Sequence, residues 1–260
     1  MAPENPETPR TPASSGRPSP APAPHFRPSI LFTLLGNATL VVATLVVGLI
    51  ATVVGWIPPR GTWMFMSARV WSRLLLVSGG IRLCSRFEQP LEKRRGYVFM
   101  ANHQSMIDIP ALIAEVPGEV RFLAKKGLFK VPIFGWALKA GGFIPVDRGN
   151  KQAAAQIYQT AKKTLDSGRS ILLFPEQTRS RSGELLPFKR GGAVIALETG
   201  HAIVPVGLVG TRSARPVGSF RINPGTVEVR YGTPIEVEGR SREDWPELLD
   251  EVRREIERLI

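Results

Sequence analysis

The stretch GYVFMANHQSMID, residues 96–108, begins a regular alternation of predicted strands and helices. Residues 97–101 are a short apolar run of the kind that forms a buried strand, and polar residues end it. Residues 105–114 follow with a helical pattern. From this point to the end of the chain, apolar runs of strand length alternate with helical segments. Such alternation is typical of an α/β domain.

The same alternation continues along the rest of the chain. Further strands are predicted at 120–124, 143–146, 171–174, 203–209 and 226–231. Helices are predicted at 151–165, 191–198 and 245–260, and residues 128–139 form a mixed, proline-containing helix or loop.

The N-terminal region precedes this domain and has a different composition. Residues 1–28 are rich in proline, with alanine and serine between the prolines. A segment of this kind buries too little apolar surface to offset the entropy lost on ordering. We therefore predict a disordered tail over 1–28.

A long uncharged segment follows the tail. No charged residue occurs between Arg27 and Arg60, and residues 29–57 are rich in leucine, valine, isoleucine and alanine. A helix that crosses a bilayer needs about 20 such residues. A buried core helix is the alternative, but the run is long for one. It also exceeds the apolar region of about 7–15 residues in a cleavable signal peptide. Arginines flank both ends and leave the orientation open.

Residues 61–87 are predicted to form a second membrane-contacting element. Five apolar residues recur there at helical spacing: Trp63, Met66, Val70, Leu74 and Val77. Arginines lie among them, and tryptophan with arginine suits the headgroup boundary of a bilayer. The alternative is an ordinary helix packed on the soluble domain. We divide the chain into a tail (1–28), membrane-associated helices (29–86) and an α/β domain (87–260).

The chain carries a formal net charge of +12 at pH 7. Such an excess favours an anionic partner, which can be nucleic acid, a lipid surface or a phosphorylated substrate. The sequence has no paired Cys/His zinc spacing and no aromatic RNA-binding signature. We therefore expect no nucleic-acid partner.

His103 and Asp108 are the first candidate site. His103 follows the strand predicted at 97–101, and ligands of α/β folds bind at the carboxyl ends of strands. A helix that begins just after His103 would bring the Asp108 carboxylate to the imidazole. The carboxylate could then fix the tautomer and leave the second ring nitrogen free to act as a general base. The alternative is a helix start with an incidental histidine.

The second candidate site is FPEQTRS, residues 174–180, which follows the strand predicted at 171–174. Arg179 can grip a phosphate with two hydrogen bonds, and Thr178 can add a hydroxyl. Glu176 could position Arg179 or bind a substrate hydroxyl. Alone, this stretch would be a solvated basic loop. Other basic groups lie after strands or beside loops, and together they predict a positively charged mouth: Lys125, Lys126, Arg148, Lys189 and Arg190.

These blocks together resemble a known family. NHQSMID (102–108) is similar to the His-x4-Asp block of the PlsC-type glycerolipid acyltransferases, the 1-acylglycerol-3-phosphate acyltransferases. FLAKKGLFKVPIFGW (122–136) and FIPVDRG (143–149) resemble the second block, FPEQTRS the third, and IVPVGLVGT (203–211) the fourth. The resemblance covers about residues 85–235. Gln177 stands where the family usually has glycine.

The resemblance implies a glycerolipid acyltransferase fold, which is a mixed sheet flanked by helices with N-terminal membrane helices. It also implies a direct transfer of an acyl group from a thioester to the sn-2 hydroxyl of lysophosphatidic acid. His103 and Asp108 would be catalytic. Glu176, Arg179, Thr178, Lys126 and Arg148 would bind the phosphorylated substrate. No metal and no cofactor is implied, since acyl-CoA or acyl-carrier protein serves as co-substrate. The implied partners are membrane lipids, lysophosphatidic acid and the acyl donor. The implied location is the inner or plasma membrane, with the domain on the cytoplasmic face.

Three alternatives to this function stay open at the level of sequence. The acceptor can be glycerol-3-phosphate, another lysophospholipid, or a lipid-linked sugar or amino-acid lipid. The chain can also be a lipid-binding protein that keeps the fold without catalysis. A hydrolase of acyl thioesters is the third alternative.

Overall fold

The computed structural model describes residues 26–57, 61–92, 94–146 and 153–260. The predicted tail lies outside these residues up to position 25. The helices are α1 (Ile30–Val54), α2 (Thr62–Ser78), α3 (Asp108–Glu115), α4 (Phe134–Ala140), α5 (Ala153–Asp166), α6 (Gly191–Thr199), α7 (Thr211–Ala214) and α8 (Trp245–Leu259). The strands are β1 (Ile81–Phe87), β2 (Val98–Ala101), β3 (Val120–Lys125), β4 (Ile144–Val146), β5 (Ser170–Leu173), β6 (Ile203–Val209) and β7 (Gly225–Tyr231).

The seven strands form one sheet in the order β1-β7-β6-β2-β5-β3-β4. All neighbouring pairs are parallel except β6 and β7, which are antiparallel, so the sheet is mixed as predicted. Every residue of β2 and β5 is buried. Strands buried on both faces are mostly apolar because helices cover both sides of a parallel sheet.

Successive residues of β2 point to opposite faces of the sheet and separate two apolar cores. Phe99 and Ala101 pack into the core that contains residues of α2, α3 and α4. Val98 and Met100 pack into the core that contains residues of α5, α6 and α8. The alternation follows from the two-residue repeat of a strand. The carboxyl end of β2 therefore opens between two helical layers.

Helix α1 is long, apolar and largely unburied. Its apolar window has a mean hydropathy of 2.3 and is 11% buried, and in the described part of the chain it is the one helix long and apolar enough to cross a membrane. A core helix would be mostly buried, so the structure argues against that alternative. The predicted stripe on α2 is likewise exposed: Trp63, Met66, Val70, Leu74 and Val77.

The prediction of one helical element over residues 61–87 was wrong for its last part. Helix α2 ends at Ser78, and residues 81–87 form strand β1, which pairs in parallel with β7. These residues belong to the sheet, although the predicted boundary at residue 87 assigned most of them to the membrane helices. Ile81 and Leu83 alternate with the exposed Arg82 and Cys84, which is the pattern of a strand with one covered face.

Candidate active site

His103 and Asp108 are in direct contact. The imidazole Nδ1 lies 2.8 Å from Asp108 Oδ2. Helix α3 begins at Asp108 rather than at Ser105. The residues between them form a turn, because the backbone N–H groups of Gln104 and Ser105 also donate to Asp108 Oδ2, over 2.7 and 2.8 Å. Residues 103–107 therefore fold around the Asp108 carboxylate.

The contact fixes which imidazole nitrogen can react. Asp108 is fully buried, and its Oδ2 accepts three hydrogen bonds. A carboxylate beside Nδ1 holds the proton of the neutral ring on that nitrogen and leaves Nε2 as an acceptor. The His103 ring stacks on Phe174 with 3.9 Å between the ring centroids, and 14% of its side chain is exposed. The ring is thus held on two sides and open on another.

Glu176 connects the loop after β5 to the loop after β2 and does not line the cavity. Its Oε1 accepts from the backbone N–H of His103 over 2.7 Å, and its Oε2 accepts from that of Leu186 over 2.8 Å. The side chain is 3% exposed. Burial raises the pKa of this carboxyl, and the two N–H donors oppose the shift.

A cavity of about 750 Å³ opens beside His103. This volume is typical of sites for small molecules. Most of the lining is apolar and comes from four helices: Leu40 and Val47 of α1, Trp71 and Leu75 of α2, Ile109 and Ile113 of α3, and Phe134 and Leu138 of α4.

The charged lining of the cavity is entirely basic. Four cations line it, namely Lys125, Arg179, Lys189 and Arg215, and among the described residues no carboxylate does. A cationic lining beside an apolar one suits an amphipathic anion, with a phosphate at the cations and a hydrocarbon chain along the helices. The arrangement can bring an alcohol on such a molecule to the imidazole.

Comparison with known proteins identifies the family. A family model described as "Acyltransferase" matches residues 82–209. The chloroplastic 1-acyl-sn-glycerol-3-phosphate acyltransferase of Arabidopsis thaliana is 38% identical over 139 residues, which are 53% of this chain and 39% of that protein. The 1-acyl-sn-glycerol-3-phosphate acyltransferase of Limnanthes douglasii is 31% identical over 189 residues, 70% of this chain and 66% of that protein.

The chain belongs to the acyltransferase family. The family predicted from the four sequence blocks is thereby confirmed. The chain spans about two fifths of the length of the Arabidopsis protein. The apolar α1 and the relatives of this acyltransferase family member together indicate that it associates with a membrane.

A solved structure confirms the predicted fold of this family member. The crystal structure of the 1-acyl-sn-glycerophosphate acyltransferase PlsC from Thermotoga maritima superposes with a TM-score of 0.72. The two chains are 24% identical, and the match covers 88% of this chain and 95% of the other. At this identity the likeness concerns the fold alone.

The other predicted site residues of this acyltransferase family member differ in whether they line the cavity. Arg179 is half-buried and lines the cavity, whereas Thr178 is exposed and is not part of the lining. Lys126 lies in a 3-10 turn over Lys126–Lys130 and is exposed, and its neighbour Lys125 lines the cavity instead. Arg148 lies outside the described residues.

Sequence reasoning assigned Glu176 to the substrate, and the structure corrects this. Both carboxylate oxygens accept backbone hydrogen bonds within the protein, and a buried anion would repel a phosphate. Its contacts suit a residue that positions the His103 backbone.

Two features of the site escaped the sequence analysis. Gln177 has a φ of 59°, in the left-handed region that glycine favours, which gives a backbone reason for the glycine usual at this position. Arg215 lines the cavity although it lies outside the four blocks. The available signal was its position shortly after β6, at the same sheet edge as His103, since β2 and β6 are parallel.

Proposed function

We propose that this protein transfers a fatty acyl group from an acyl thioester to the sn-2 hydroxyl of 1-acyl-sn-glycerol-3-phosphate, giving phosphatidic acid. The observation that carries the proposal is the position of the His103–Asp108 pair beside a cavity with one basic and one apolar lining. The names of the relatives agree with it.

In this mechanism His103 is the general base. Its Nε2 takes the proton of the sn-2 hydroxyl while the hydroxyl oxygen attacks the thioester carbonyl carbon. The carbon–sulfur bond then breaks, and the imidazolium returns the proton to the leaving thiolate. Asp108 stabilises the imidazolium and keeps Nε2 turned toward the substrate. Direct transfer is supported by the contacts of Ser105, whose Oγ is buried and donates to the Arg215 carbonyl, and so is not poised as a nucleophile.

The substrate phosphate is assigned to the basic lining. Arg179 offers a planar guanidinium that can bind two phosphate oxygens, and Lys125 and Lys189 add charge. The hydrocarbon chains would lie along α1, α2 and the exposed apolar surface continuous with them. We place the protein at the inner or plasma membrane with this cavity on the cytoplasmic side, where acyl-CoA and acyl-carrier protein are found; either can be the donor.

The test is an acceptor panel with the purified full chain in phospholipid vesicles. Each candidate acceptor is offered with one labelled acyl-CoA or acyl-carrier protein, and mass spectrometry locates the new ester. We expect transfer to the sn-2 position of lysophosphatidic acid and none by His103→Ala. Thiol release that needs no acceptor would instead indicate a thioester hydrolase, and equal activity of His103→Ala would refute the role of the imidazole.

A further inference from the structure

Arg215 is a buried cation at the rim of the same cavity. It follows α7 and is 6% exposed. Its backbone carbonyl accepts a hydrogen bond from Ser105 Oγ over 2.7 Å. Ser105 lies between His103 and Asp108, so this bond ties the backbone of Arg215 to the turn that carries the imidazole.

The guanidinium of Arg215 has neutral partners. Its Nε donates to the carbonyl of Ser219 over 3.2 Å, and one Nη donates to Asn37 Oδ1 over 3.1 Å. Within the described residues no carboxylate pairs with it, and the other Nη has no hydrogen-bond partner. Burial lowers the pKa of this guanidinium, and the charge of Arg179 lowers it further. A buried cation with neutral partners and a second cation nearby is costly unless an anion joins them.

Asn37 is a polar residue within the apolar helix α1. Its Nδ2 donates to the carbonyls of Thr33, over 2.7 Å, and Phe220, over 2.8 Å. Thr33 Oγ1 in turn exchanges hydrogen bonds with the backbone of Ile222. These bonds dock α1 on the loop that follows Arg215 and hold the Asn37 oxygen toward the guanidinium.

Helix α1 and this loop are in close contact at Gly36. A Cβ added at Gly36 would lie 2.5 Å from the end of the Ile222 side chain, which would have to move. The position of Arg215 is thus determined by two parts of the chain, the His103 turn through its backbone and α1 through its side chain.

We propose that Arg215 binds the phosphate of the acceptor together with Arg179, and that Asn37 of the membrane helix positions it. The inference rests on the proposed function for the identity of the acceptor. A phosphate monoester carries up to two negative charges, and two guanidinium groups can share its oxygens through charge-assisted hydrogen bonds. The membrane helix then forms part of the headgroup site.

The first test compares Arg215→Gln and Arg215→Lys with the wild type, as full chains in vesicles. We expect Arg215→Gln to raise the KM for lysophosphatidic acid about 10- to 100-fold, with a smaller change in kcat, because a charged hydrogen bond is lost. The KM of Arg215→Lys should lie between those of the wild type and Arg215→Gln, because lysine keeps the charge but lacks the planar pair of donors of a guanidinium. Arg221→Gln is the control, because Arg221 is exposed in the same loop. An unchanged KM, or a loss confined to kcat, would overturn the proposal.

The second test addresses Asn37. Asn37→Asp places an anion against the Arg215 guanidinium, and Asn37→Ala removes the acceptor. Both should raise the KM for lysophosphatidic acid while kcat changes little, as expected of a positioning residue. If both variants kept the wild-type KM, the part assigned to α1 would be wrong.

A third measurement separates this inference from the proposed function. Inorganic phosphate should raise the thermal midpoint of the wild type, and this shift should be lost in Arg215→Gln but kept in Arg221→Gln. If the wild type transfers nothing to lysophosphatidic acid yet shows this pattern, the phosphate site stands and the acceptor is another phosphate ester. If the shift persists in Arg215→Gln, the assignment of Arg215 fails, whatever the acceptor is.

Discussion

The backbone N–H of His103 donates to Glu176 Oε1 over 2.7 Å, although the two residues are 73 positions apart in the chain. His103 follows β2 and Glu176 follows β5, and these strands are parallel neighbours. The Glu176 carboxylate therefore fixes the position of the loop after β2. Its second oxygen accepts a hydrogen bond from the backbone N–H of Leu186, farther along the loop after β5. The imidazole is held by Asp108 at its ring and by Glu176 at its backbone.

Substituting Glu176→Gln should weaken both the fold and the proposed transfer. The amide keeps one acceptor oxygen and puts an NH2 group against a backbone N–H, so one buried donor loses its partner. We expect the free energy of unfolding to fall by about 1–3 kcal/mol, measured by urea unfolding, and the transfer rate to fall as the His103 backbone shifts. Glu184→Gln, exposed in the same loop, is the control and should change neither quantity.

Glu176 should also leave a signature in the pH dependence of stability. Burial raises the pKa of its carboxyl in the folded protein. The folded state then favours the protonated form, so the contribution of Glu176 to stability is greatest below the unfolded pKa and is lost as the pH rises through the folded pKa. The stability difference between the wild type and Glu176→Gln should shrink with rising pH across that interval. A difference that grows with pH would mean that the N–H donors outweigh the effect of burial.

Asp108→Asn should remove most of the proposed activity while the fold survives. The asparagine oxygen stays at the position of Oδ2, where it accepts from the backbone N–H groups of Gln104 and Ser105 and from Nδ1, but the negative charge that stabilises the imidazolium is lost. We expect the rate of transfer to lysophosphatidic acid to fall by roughly 10²–10⁴-fold, with circular dichroism unchanged. Asp250→Asn, exposed on α8, is the matched control. Retention of more than half the rate by Asp108→Asn would contradict the dyad.

Gln177→Gly should raise the free energy of unfolding. The φ of 59° at Gln177 disfavours a residue with a Cβ, and glycine removes this strain at some cost in unfolded-chain entropy. We expect a net gain of up to about 1 kcal/mol in thermal or urea unfolding. Gly218→Gln tests the reverse change, because Gly218 has a φ of 81° and open space at its Cβ position. A loss of stability in Gln177→Gly would show that side-chain contacts of Gln177 outweigh the strain.

Charges on the exposed face of α1 should release the protein from membranes. Leu45 and Leu49 are 51% and 53% exposed. A charge in the hydrocarbon region costs about 2.5–3.5 kcal/mol, so Leu45→Glu with Leu49→Glu should move the protein from vesicles to the supernatant in a flotation assay. Gln156→Glu with Thr160→Glu on α5 adds the same charge to another helix and should stay bound.

The local patterns of the sequence predicted the central part of this fold. Buried strands such as β2 and β5 are short and mostly apolar, so local sequence patterns predict them. The five-residue spacing of His103 and Asp108 fits a single turn, so their contact could also be predicted locally. Strand β1 was missed because helical spacing of apolar residues in α2 was extended past Gly79 and Gly80. The two-residue alternation after those glycines was the signal for a strand.

Other features depend on contacts between distant segments and have no local signal. Arg215 receives hydrogen-bond partners from Asn37, Ser105 and its own loop, and three such segments meet only in the folded chain. Likewise, the direction of the Glu176 side chain depends on where the loop after β2 places the backbone N–H of His103. A sequence motif identifies these residues as polar groups near a strand end. It does not show whether a side chain contacts a ligand or makes a structural hydrogen bond within the protein.

The sheet order also constrains how the chain reaches its native state. Strand β1 follows α1 and α2 directly, yet its partner in the sheet is β7, more than a hundred residues later. During synthesis the ribosome must therefore deliver residues 225–231 before the β1 backbone can complete its hydrogen bonds. Until then β1 lacks this partner, although α1, the helix apolar enough to enter a bilayer, has already been made.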